Sequence, residues 1–102
     1  MQITDQIERI QQNEEYLDVG NQQVAQLSAA LSEFQAYQGE ISRLMDYYSS
    51  EAWFVDQAAD EAGELPLELS RGVLSEDAVY NLWGEYRSLA IEMLKLATSM
   101  LE

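Results

Sequence analysis

The chain has no cysteine, no histidine, one proline and only five basic residues in 102. Without cysteine there is no disulfide framework, no thiolate zinc site and no thiol nucleophile. Without histidine nothing alters the charge near neutral pH, and serine hydrolysis would need Lys95 as base; no nucleophile-elbow glycine pattern surrounds any serine. Five Lys and Arg against nineteen Asp and Glu leave a net charge of -14. Close contact with nucleic-acid phosphate or anionic lipid needs cations to neutralise it, so neither nucleic acid nor a membrane is an expected partner. No apolar run approaches the roughly 20 residues that cross a bilayer, and the opening MQITDQIERI has neither the basic start nor the apolar core of a signal peptide. A cytoplasmic location is the expectation.

What is present supports one small all-α domain over residues 1–102. With 47% hydrophobic residues a chain of this length can bury roughly 60–65% of its unfolded surface. Apolar residues recur every seven positions at Ile3, Ile10, Leu17, Val24, Leu31 and Met45, with Gln38 the polar interruption. The second heptad column reads Gln6, Asn13 and Gly20 early, then Leu27, Phe34, Ile41 and Tyr48. Only the later half, widened by Ala30, Tyr37 and Leu44, has the broad face of a core-packed helix. The early half is a narrow line helped by Ile7 and Tyr16. Gly20-Asn21 sits at the change, and glycine costs about 1 kcal/mol in a helix interior, which leaves open one long helix or two.

Ser49 or Ser50 can cap a short second helix reaching about Ala62, with Glu51 in its first turn and Trp53, Phe54 and Ala58 facing inward. Gly63 and Pro66 then stop it. Leu65, Leu67 and Leu69 fit either a few extended residues or one helical turn. Ser75-Glu76-Asp77 caps a last helix carrying Val79, Leu82, Trp83, Tyr86, Leu89, Ala90, Met93, Leu96, Ala97 and Met100.

The wide-faced stretch 24–48 and the last helix have equal lengths, about 38 Å each, so antiparallel packing along their full length is expected. That leaves residues 1–23 as a projecting arm beside a bundle core of 24–102. A narrow seam suits a two-stranded coiled coil better than a monomer core. The seam Ile3, Ile7, Ile10 and Leu17 is therefore the candidate dimer contact of a homodimer.

Between Arg43 and Arg71 seven acidic residues occur without a basic one. Asp56, Asp60 and Glu64 fall four apart on one helical face, where like charges repel. With Glu61 and Arg71 they form a candidate interaction face for a basic protein partner; a divalent cation or a merely solvated acidic face are the competing readings. Arg71 fits an ion pair with Asp60, Glu61 or Asp77 that pins the turn, or an anion contact. Glu14-Glu15-x-x-Asp18 resembles the helical carboxylate motif of magnesium-dependent nucleotide pyrophosphatases, with Glu61-x-x-Glu64 the nearest second half. Five basic side chains are few for holding phosphates. The aromatics Trp53, Phe54, Trp83 and Tyr86 match inward helical spacing and read as core.

The run from Trp53 to Leu94 also resembles an uncharacterised family of short acidic bacterial proteins, a domain of unknown function common in Gram-positive bacteria. Trp53, Asp60-Glu61-Ala62-Gly63, Leu65-Pro66 and Arg71-Gly72-Val73-Leu74-Ser75-Glu76-Asp77 carry the resemblance. It implies a small helical protein and no particular chemistry. The expectation is a non-enzymatic protein–protein interaction or structural protein without catalytic, metal or cofactor sites. The alternatives are an acidic inhibitor or immunity-type protein masking a basic surface on a toxin or nucleic-acid-binding enzyme, and a magnesium-dependent nucleotide hydrolase.

Overall fold

The computed structural model describes residues 2–102, and every regular element in them is helical. In chain order these are α1 (Ile3–Tyr48), α2 (Glu51–Glu61), a single 3-10 turn (Gly72–Leu74) and α3 (Glu76–Met100). The residues form two compact units that divide within α1, one ending at Ile41 and the other running from Ser42 to Glu102.

The first unit is helix alone. α1 passes through Gly20 and Asn21 without a break. A glycine weakens a helix but ends it only where the backbone turns left-handed. Among the described residues Gly63 is the glycine with positive φ, at 71°. Ile41 is the buried side chain of α1, whereas Ile3, Ile7, Ile10, Leu17, Val24 and Leu31 are all exposed.

In the second unit, local chemistry sets the helix ends. Ser50 caps α2 by accepting a hydrogen bond from the Trp53 amide at 3.4 Å, and Ser75 caps α3 by accepting from the Ala78 amide at 3.1 Å. At the far end of α2, Gly63 N–H donates to the Asp60 carbonyl at 3.1 Å and Glu64 N–H to the Ala59 carbonyl at 3.0 Å. This pair of bonds satisfies two carbonyls that a helix end would otherwise orphan. The undecided leucine stretch is a tight turn, closed by Leu69 N–H donating to the Pro66 carbonyl at 3.2 Å.

The core of this unit is small: Trp53, Leu74 and Val79 are buried. The 3-10 turn touches both α2 and α3 and sets the connector between them. Two expectations about the core need correction. Phe54 is 63% exposed and Ala58 is exposed as well. The inward face of α2 continues instead from Trp53 through Asp56, Gln57 and Asp60, at helical spacings of three, four and seven, all of them half-buried. On α3, Trp83 is exposed and Tyr86 half-buried. They stack on each other with ring centroids 5.4 Å apart and an 11° interplanar angle, as side chains three apart on one helix can.

The two long helices of the expected fold are α1 and α3, with the short α2 between them in the chain.

Candidate functional site

Two sets of side chains stand out, one in each unit. In the second unit they gather where α2 meets the connector. Trp53 has an apolar body that repays burial and an indole N–H that needs an acceptor once water is removed. Helix carbonyls are already taken, so the acceptor comes from the connector: Nε1–H donates to the Val73 carbonyl at 2.9 Å. Tyr48 packs edge-on against the indole at a centroid distance of 5.2 Å, and its hydroxyl donates to the Glu76 carbonyl at 3.1 Å. That second bond ties the end of α1 to the first turn of α3.

The carboxylates of α2 have partners within the chain. Tyr47 O–H donates to Asp56 Oδ2 at 2.5 Å. The hydrogen bond holds the Tyr47 hydroxyl pKa above its ordinary value, and burial and the Asp56 charge push the same way. Arg71 pairs with Asp60, Nη1 to Oδ1, at 2.6 Å, pinning the turn that ends α2. Charge-assisted contacts of this kind set geometry more than they add stability when both partners are part-exposed. Glu61 accepts from the Gln57 side chain at 3.3 Å, and Glu64 is exposed just past the end of the helix.

The five residues of the expected interaction face therefore separate. Asp56, Asp60 and Arg71 hold the connector, while Glu61 and Glu64 remain outward-facing acidic groups. Among the described residues no three carboxylates stand close enough to hold a metal ion. A cavity of about 340 Å³ lies beside this network, and Leu65, Leu69 and Leu74 give it an apolar lining. Its polar lining includes Tyr47, Asp56 and Arg71, which already pair with one another or with Asp60, and Ser70.

The sequence reading missed Tyr47, Tyr48 and Val73. A signal existed for two of them, since a buried indole and a half-buried phenol each require a polar partner, and the connector supplies backbone carbonyls outside any helix ladder.

The second set is the stripe on the first unit. Ile3, Ile7, Ile10 and Leu17 lie on one side of a regular helix, with Ile3 72% and Ile10 60% exposed. Gln6, Asn13 and Gly20 alternate with them along the same line. Asn13 Nδ2 donates to the Arg9 carbonyl at 2.8 Å, a bond within the helix that fixes the orientation of its amide. Glu14, Glu15 and Asp18 are exposed on this helix. No helix among the described residues is long and apolar enough to cross a membrane.

A family model described as "Domain of unknown function (DUF4298)" matches residues 10–96. No curated protein and no solved structure matches the chain.

Proposed function

The chain belongs to the DUF4298 family, and from that premise we propose that it is a non-enzymatic interaction or structural module that assembles with a second copy of itself. The observation that carries this reading is the run of large apolar side chains that α1 leaves uncovered: Ile3, Ile7, Ile10, Leu17, Val24 and Leu31 are all exposed.

The stripe of α1 from Ile3 to Leu31 is exposed, and a helix is marginal in water unless a packed face supports it. The seam Ile3, Ile7, Ile10 and Leu17 has the narrow width that two helices share. The acidic charge keeps such an assembly soluble and discourages wider aggregation.

Light scattering on the full chain across a dilution series tests the reading. A mass of twice 11.6 kDa at micromolar concentration is expected. A clean monomer throughout the series would overturn it.

A further inference from the structure

The order of residues along the α1 stripe carries a more specific statement. We infer that residues 3–34 of two chains pair as a parallel, in-register coiled coil, so that each residue of the two central columns of the seam meets its own copy. This rests on the self-association proposed above and adds its orientation.

The first observation is the division of the seam into two columns. One holds Ile3, Ile10, Leu17, Val24 and Leu31, all apolar and all exposed. The other holds Gln6, Asn13 and Gly20 before Leu27 and Phe34. In a parallel pair each column faces itself. Gln6 then meets Gln6 and Asn13 meets Asn13, and two carboxamides can exchange N–H and C=O across the seam. The bond from Asn13 to the Arg9 carbonyl uses one amide hydrogen, and the side chain has a second hydrogen and an oxygen to offer.

In an antiparallel pair the columns face each other. Every polar side chain would then press against an isoleucine, leucine or valine and be buried without a partner, which is the expensive arrangement. Polar seam residues that match only themselves are a known device for fixing register and orientation.

The second observation is charge. Beside these two columns, between Ile3 and Leu31, stand Ile7 (the seam's outer member), Arg9, Glu14, Tyr16, Asn21, Gln23, Ser28 and Ala30, and of these only Arg9 and Glu14 are ionised. They are five residues apart, on opposite sides of the seam. In a parallel dimer that spacing sets Arg9 of each chain against Glu14 of the other, twice by symmetry. In an antiparallel pair like flanks meet like, and the opportunity is lost. β-Branched Ile3, Ile10 and Val24 are three of the five residues in the apolar column, a bias that favours two strands.

The absence of native cysteine makes the test direct. Ile10→Cys and Val24→Cys are made singly in the full chain, oxidised and run on non-reducing gels, with the mass of each reduced protein measured by sedimentation. The expected result is a reduced dimer for both and disulfide-linked dimer from each variant with itself. A reduced dimer that fails to cross-link at either position overturns the parallel register and leaves self-association standing. Reduced monomers, accompanied by a monomeric native chain, overturn both. The charges give an independent readout. Arg9→Glu should weaken the dimer about fivefold, and adding Glu14→Arg should restore it; equal weakening by both variants contradicts the assignment.

Discussion

The indole N–H of Trp53 donates to the carbonyl of Val73 at 2.9 Å, joining the first turn of α2 to the connector twenty residues later. Leu74, the next residue after that carbonyl, is buried, as is Val79 in the first turn of α3. Trp53 is 5% exposed and fills the centre of a core with few other members. Replacement by alanine should cost about 3–5 kcal/mol, from lost apolar burial together with an orphaned carbonyl. Thermal melts of Trp53→Ala check this; a melting temperature near that of the native chain would remove Trp53 from the core.

Tyr47 gives a pH dependence of known sign. Its hydroxyl pKa is raised because it donates to Asp56, so the protonated form is the one that folding favours. That contribution is complete below the ordinary tyrosine value near 10 and is lost as pH rises through the higher folded value. The native chain should therefore lose stability at alkaline pH more steeply than Tyr47→Phe. Parallel curves for the two proteins, measured by denaturant melts across the alkaline range, would contradict the hydrogen bond.

Gly63 isolates a backbone effect. It adopts φ 71°, and open space surrounds the position a Cβ would take. Gly63→Ala should then destabilise by about 1 kcal/mol through the left-handed conformation alone, with Gly63→Asn costing less. Urea midpoints decide the order of the three proteins.

The pair between Arg71 and Asp60 is short, but its side chains are 30% and 27% exposed. Solvent screens such a pair, so Arg71→Gln should cost less than about 1 kcal/mol, and high salt should shrink the difference. A large, salt-independent loss in chemical melts would show that the turn depends on more than this ion pair.

These features were unequally visible in the amino-acid order. Ser50, Ser75 and Gly63 were legible because capping is chemistry within a few residues. Arg71 was legible too, as an isolated cation in an acidic stretch, and its ion-pair reading is the one observed. The inward face of α2 was not. A search for apolar spacing chooses Phe54 and Ala58, whereas the fold turns Asp56 and Asp60 inward because Tyr47 and Arg71 are there to receive them. Those partners lie nine and eleven residues away across helix ends, beyond what periodicity can relate. Gly20 was undecidable for a different reason. The cost of one interior glycine is close to what neighbouring helix formers recover, so local energetics balance and the course of the whole helix decides.

If a second chain covers the apolar stripe of α1, as proposed, amide hydrogen exchange at two protein concentrations detects it. Protection of residues 3–31 should rise with concentration, while protection around Trp53 and Val79 stays constant. Strong protection of 3–31 that is unchanged on dilution, in a chain that sediments as a monomer, would contradict the account.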